Sequence, residues 1–126
     1  MIYPNGDKFE GDYVQGKKMG QGKYISANGH SYTGQFMNDK RHGQGTETYS
    51  DGGTYTGQFS DDNRHGLGTY KNPSVGTYTG QFSDGRKHGQ GTYTHPDGRK
   101  FIGNYLNNEP HGKGSMHYPD GKIEEV

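Results

Sequence analysis

The sequence predicts an all-β chain, an elongated ribbon of five consecutive β-hairpins. Three observations predict it. The chain repeats every 23 residues, each unit alternates large and small side chains, and glycine falls at fixed places among aromatic rings.

The repeat is clearest in the aromatic that opens each unit: Phe9, Tyr32, Tyr55, Tyr78 and Phe101. Four residues on stands a second ring: Tyr13, Phe36, Phe59, Phe82 and Tyr105. Glycine lies midway in every copy, from Gly11 to Gly103, and a Gly-x-Gly pair follows, from Gly20 and Gly22 to Gly112 and Gly114. A further glycine recurs at Gly6, Gly29, Gly52, Gly98 and Gly121, with Val75 the exception. These columns take 20 of the 24 glycines, so glycine here marks geometry and not mere composition. No insertion breaks the register. The expected units are 9–31, 32–54, 55–77, 78–100 and 101–123, with a partial unit 1–8, in one domain over 1–126.

Inside the unit 32–54, Tyr32-Thr33-Gly34-Gln35-Phe36 reads as a strand with one packed face. Gly43 to Tyr49, rich in Thr and Tyr, reads as its partner. The polar stretch from Met37 to His42 is expected as the loop between them. Asn5-Gly6, Asn28-Gly29, Asp51-Gly52, Asp97-Gly98 and Asp120-Gly121 are hairpin signals, since both residues tolerate positive φ, and are expected to join one unit to the next. Glycine normally weakens a strand, so Gly43 and Gly45 are expected to offer bare backbone on which rings lie. One unit alone cannot bury its rings, so the units must stack.

Composition agrees. Only 24% of residues are hydrophobic, and the mean hydropathy is -1.30, too polar for a thick aliphatic core. Eleven Tyr and five Phe with a net charge of zero allow a thin aromatic one. The balanced charge speaks against nucleic acid as a partner. No apolar run approaches membrane-span length. The absence of Cys excludes disulfides and fits a cytoplasmic protein.

Chemistry is scarce. The Gly-x-Gly pairs lead into a strand and lack a Walker lysine, so they read as glycine under rings and not as a phosphate cradle. His42, His65, His88 and His111 form a column, but equivalent residues lie two strands apart, about 9–10 Å, too far to share a metal. Each ring is instead expected to lock its loop through backbone hydrogen bonds. Asp39, Asp61, Asp62, Asp84 and Glu109 read as solvated charge. No unique constellation exists for catalysis, so a non-catalytic chain with no cofactor is expected.

The pattern Tyr-x-Gly-x-Phe, His-Gly-x-Gly, Asp-Gly, in register from Lys8 to Lys122, resembles the MORN (membrane occupation and recognition nexus) repeat family. It departs at Met19, which replaces His, and at Pro73-Ser74-Val75-Gly76, which replaces the Asn/Asp-Gly turn. The resemblance implies a single-layer, twisted antiparallel sheet acting as a binding and assembly module. A protein partner is then expected on the aromatic face, at Tyr32, Phe36, Tyr55, Phe59, Tyr78, Phe82 and Phe101, or by end-strand pairing, which also admits a homodimer. Glu124 takes the aromatic place at the last turn of the pattern and reads as an end cap. The alternative is an anionic or phosphoinositide-bearing membrane met by a basic stripe on one edge: Lys17, Lys18, Lys40, Arg41, Arg64, Arg86 and Lys87. A regulatory segment of a larger lipid-kinase-like or cytoskeletal protein is a further reading, and cytoskeletal or membrane association follows from either.

Overall fold

The computed structural model describes residues 2–126. Eleven strands form one antiparallel sheet in which each strand pairs with its sequence neighbours. They are β1 (Lys8–Val14), β2 (Lys17–Ile25), β3 (Ser31–Met37), β4 (Lys40–Thr48), β5 (Thr54–Ser60), β6 (Asn63–Asn72), β7 (Gly76–Ser83), β8 (Arg86–Thr94), β9 (Lys100–Leu106), β10 (Glu109–His117) and β11 (Ile123–Glu125). The five hairpins are the units the period predicts. The eleventh strand was not expected: Glu124 pairs with Met116 and lengthens the sheet by three residues.

Alternation sets the faces. In β3, β5 and β7 the ring, glycine and ring of each unit are buried while the residues between are exposed. The core is therefore a single row of rings on one side of one sheet: Phe9, Tyr32, Phe36, Tyr55, Phe59, Tyr78, Phe82 and Tyr105. Ring follows ring edge to face. Phe36 meets Phe9 at 5.2 Å and Tyr32 at 5.1 Å; Phe59 meets Tyr32 and Tyr55, both at 5.1 Å; Phe82 meets Tyr55 and Tyr78, both at 5.1 Å. Tyr105 continues the row against Tyr78 at 5.0 Å and Phe101 at 5.9 Å. Each such pair adds roughly 0.5–1.5 kcal/mol beyond its buried area. Because the second ring of a unit bridges its own first ring and that of the unit before, the row links the hairpins as well as filling them.

Glycine makes room for the row. A Cβ at Gly68 would lie 2.5 Å from Tyr55 Cζ, and one at Gly45 would lie 2.5 Å from Tyr32 Cζ. Gly43 behaves otherwise. His42, Gly43 and Gln44 together oppose Gln35 alone, so the strand bulges, and Gly43 takes a φ of 84° there. The ring lies over Gly45, and the Gln35 amide covers Gly43. The bulge also frees the Gln35 carbonyl to accept the Tyr32 hydroxyl at 2.8 Å, as Gln58 does for Tyr55 and Gln81 for Tyr78.

Both kinds of turn differ from expectation. The six-residue loop from Met37 to His42 is a two-residue turn: β3 runs to Met37, β4 begins at Lys40, and Asn38 and Asp39 have φ of 49° and 70°. Asp61-Asp62, Asp84-Gly85, Asn107-Asn108 and Gln15-Gly16 repeat it. The Asn/Asp-Gly turns between units are longer, and only their glycine has positive φ. In Ser26 to His30, Gly29 N–H donates to Ser26 O at 3.1 Å and His30 N–H to Asn28 Oδ1 at 3.2 Å. The exceptional turn Asn72 to Gly76 keeps this plan by another route. Val75 N–H donates to Asn72 O, Ser74 N–H to Asn72 Oδ1, and buried Asn72 Nδ2 donates to Asp51 Oδ2 in the preceding turn.

Candidate docking face

The residue just after each two-residue turn alternates in direction with its neighbour. Arg41 stands opposite Phe36, Arg64 opposite Phe59 and Lys87 opposite Phe82, so these cations belong to the ring face. Lys40 and Arg86 pair with Met37 and Ser83 and belong to the other. The basic stripe expected on one edge is thus two rows on opposite faces, because adjacent strand residues point apart.

On the ring face the cations are seated over aromatics. Arg41 Cζ lies 5.7 Å from the Tyr32 centroid and 5.0 Å from that of Phe59. Arg64 Cζ lies within 5.7 Å of Tyr55, Tyr70 and Phe82. Lys87 Nζ lies 5.3 Å from Tyr78, 5.0 Å from Tyr93 and 5.8 Å from Tyr105. Lys18 opens the row over Tyr3, Phe9 and Tyr24. At the matching place in the fifth hairpin stands Pro110.

The following turn holds each cation by its backbone. Lys18 N–H donates to Asp39 Oδ1 at 2.8 Å while Asp39 N–H donates to Lys18 O at 3.1 Å. Arg41 and Asp62 repeat this reciprocal pair, and so do Lys87 and Asn108. Gly85 gives its N–H to Arg64 O and accepts Arg64 Nη2 at 3.0 Å. Asp39 and Asp62, expected as plain solvated charge, are inter-unit clips. The histidines, expected to do such work, do none of it. Among the described residues no hydrogen bond reaches the rings of His42, His65, His88 or His111, and the last three are exposed. Gln35, Gln58 and Gln81 instead accept the bulge N–H of Gln44, Leu67 and Gln90.

The expected partner-binding rings also move to another role. Tyr32, Phe36, Tyr55, Phe59, Tyr78 and Phe82 are no more than 6% exposed, and only Phe101 is partly open. A ring laid on glycine backbone buries itself, so these side chains are core. The aromatic surface left in reach is a second set that the sequence reading passed over: Tyr24, Tyr49, Tyr70 and Tyr93, packed against the core and half-buried. Tyr24, Tyr70 and Tyr93 had a signal in the sequence, since with Glu47 and Met116 they fall at the 23-residue spacing, while Tyr49 stands outside that column. Tyr70 and Tyr93 enclose shallow depressions with the cations. One, of about 280 Å³, is lined by Tyr49, Arg64, Tyr70, Phe82, Lys87 and Asn108; its neighbour includes Lys87, Tyr93, Tyr105 and Met116.

Electrostatics follow burial. Burial pushes the Tyr55 and Tyr78 hydroxyls up to about 12, partly opposed for Tyr55 by the positive charge of Arg64. Tyr24 reaches about 12 chiefly by donating to Asp7 at 2.6 Å. Burial, with Arg64 nearby, holds the Lys87 ammonium below the usual lysine range. No three His, Asp or Glu side chains among the described residues converge as a metal site would require.

The fold and face define a tandem β-hairpin repeat protein with an open, ring-lined side. The MORN repeat model matches residues 9–31, 32–54, 55–74, 78–98 and 101–123, and the chain belongs to the MORN repeat family, whose repeats serve as non-catalytic interaction modules. No curated protein matches the chain. Among solved structures it is similar to the TCP domain of SAS-4 (dCPAP) of Drosophila melanogaster, solved in complex with a proline-rich motif of Ana2 (dSTIL). That likeness has a TM-score of 0.56 and 17% identity, over 99% of this chain and 80% of that one, and it is a likeness of fold.

Proposed function

We propose that this chain is a scaffold that docks a segment of another protein across its ring face. The observation that carries the reading is the uncovered face itself. Among the described residues the single sheet, with its ring row on one side, has no second layer, and half-buried tyrosines alternate there with seated cations. Tyrosine offers apolar area and a hydroxyl together, which suits an extended peptide. The similar TCP domain carries a peptide motif of another protein, which supports docking as a use of this kind of sheet.

The rival reading is a membrane surface met by the opposite face, where Lys40 and Arg86 are exposed. One comparison separates the two. The partner captured by the intact chain from its native cell is titrated against Tyr70→Ser/Tyr93→Ser and Lys40→Ser/Arg86→Ser variants. Docking on the ring face predicts affinity about tenfold weaker for the first pair and unchanged for the second, since interfacial tyrosines commonly carry more than 1 kcal/mol each. Salt-sensitive flotation with anionic vesicles, lost only in the second pair, would replace the proposal with the membrane reading.

A further inference from the structure

The cation row is not uniform. In its first half each cation has a carboxylate. Lys18 Nζ lies 3.9 Å from Asp39, and Arg41 lies 2.5 Å from Glu47 and 3.4 Å from Asp62. In its second half neither has one. Gly85 and Asn108 stand where Asp39 and Asp62 would place a carboxylate, and Tyr70 and Tyr93 stand where Glu47 does. Among the described residues no ion pair reaches Arg64 or Lys87. Both are half-buried, and both line the same depression. Two like charges, partly withdrawn from water and left without a counter-charge, are an unfavourable arrangement that an anion relieves.

We infer that Arg64 and Lys87 receive the carboxylates of an acidic, extended segment of the docked partner protein. The inference rests on the proposed ring-face docking and names its chemistry. Charge complementarity selects the ligand, and shape selects its form. The cations sit recessed among Tyr49, Tyr70 and Tyr93, within reach of a side chain entering an open sheet face, whereas a flat headgroup plane would meet Lys40 and Arg86 on the other side. Equivalent seats lie two strands apart, about 9.5 Å, which is one turn of an extended polyproline II chain, three residues at about 3.1 Å each, with side chains three apart on the same side. An Asp or Glu at two positions three apart would therefore address both cations. Arg41, already held by Glu47 and Asp62, would take no part.

The test uses the chain's own first half as its template. Random peptides displayed on phage are selected on the full chain. The variant Gly85→Asp/Asn108→Asp then installs the missing carboxylates. Aspartate fits that turn position, because Asp39 and Asp62 occupy it with φ of 70° and 71°, against 83° for Gly85 and 75° for Asn108. Expected are peptides enriched in Asp or Glu at a spacing of three, binding the variant at least about tenfold more weakly, as for a close interfacial charge pair. Arg64→Gln/Lys87→Gln should weaken them similarly. Selected peptides without acidic enrichment, or equal binding to the folded variant, would overturn the acidic seat while leaving ring-face docking standing. Failure to select any peptide would overturn both. Binding of phosphatidylserine vesicles in place of peptides, lost in Gly85→Asp/Asn108→Asp, would assign the two cations to a membrane instead.

Discussion

The central and terminal hairpins carry the same pattern but hold their rings differently. Tyr55 and Tyr78 are fully buried, each between second rings of two units, with the hydroxyl bonded to a bulge carbonyl. At the ends the opening ring is Phe9 or Phe101, with no hydroxyl, and Phe101 is partly open. Tyr13, the second ring of the first unit, is 42% exposed. A repeat protein is thus made of equal units with unequal neighbours. What a ring contributes depends on whether a neighbouring hairpin covers it, the following one for an opening ring and the preceding one for a second ring.

The largest expected effect that separates the two regions is alkaline unfolding. Tyr32, Tyr55 and Tyr78 ionise near 12 in the folded chain, raised first by burial, against about 10 in an unfolded one. The folded state therefore holds its protons more tightly. This contribution is fully present below pH 10 and is lost as pH rises through 12. Each ring loses on the order of 2 kcal/mol, and the three together several. Phenolate absorbance should rise together with loss of sheet circular dichroism; phenolate appearing near pH 10 in a folded chain would show the central rings to be open.

Next in size is Gly68→Ala, which should cost about 3 kcal/mol by urea denaturation, since Tyr55 has no room to yield. Gly114→Ala makes an equally close contact with Phe101, 2.5 Å from its Cζ; that ring is partly open and can swing outward, but the Ile102 carbonyl at 2.9 Å cannot, so about 2 kcal/mol is expected. Equal costs would mean that the end ring is as confined as the central one. The smallest effect is Tyr55→Phe, which turns a central ring into an end-type ring. It removes one buried hydrogen bond and should cost about 1 kcal/mol while leaving the sheet intact.

Most of the fold was legible because the period leaves no freedom of register. Parity along Tyr32, Gly34 and Phe36 set the buried face, and hairpin followed hairpin. The turn was misread because the bulge at His42-Gly43-Gln44 interrupts alternation and disguises a strand as loop. The paired turn residues at Asn38-Asp39 and its equivalents carried the missing signal, since two successive Asn, Asp or Gly residues suit positive φ at both positions. The ring-bearing side of the sheet is the one that alternation predicts, but the rings named from the sequence are core and not surface. Alternation tells which side a ring takes, while burial depends on what lies beneath it, and glycine beneath draws the opening rings fully in. That the second tyrosine column stays half-open, and that charge is unbalanced along the cation row, needed three-dimensional neighbours to become visible.

The clips between units also give the ribbon a direction. The turn at Asp39 grips Lys18, Asp62 grips Arg41, Gly85 grips Arg64 and Asn108 grips Lys87; the grip always reaches backward. During synthesis each hairpin therefore stays unlatched until the next turn has left the ribosome, so the array is completed one unit behind its own growth.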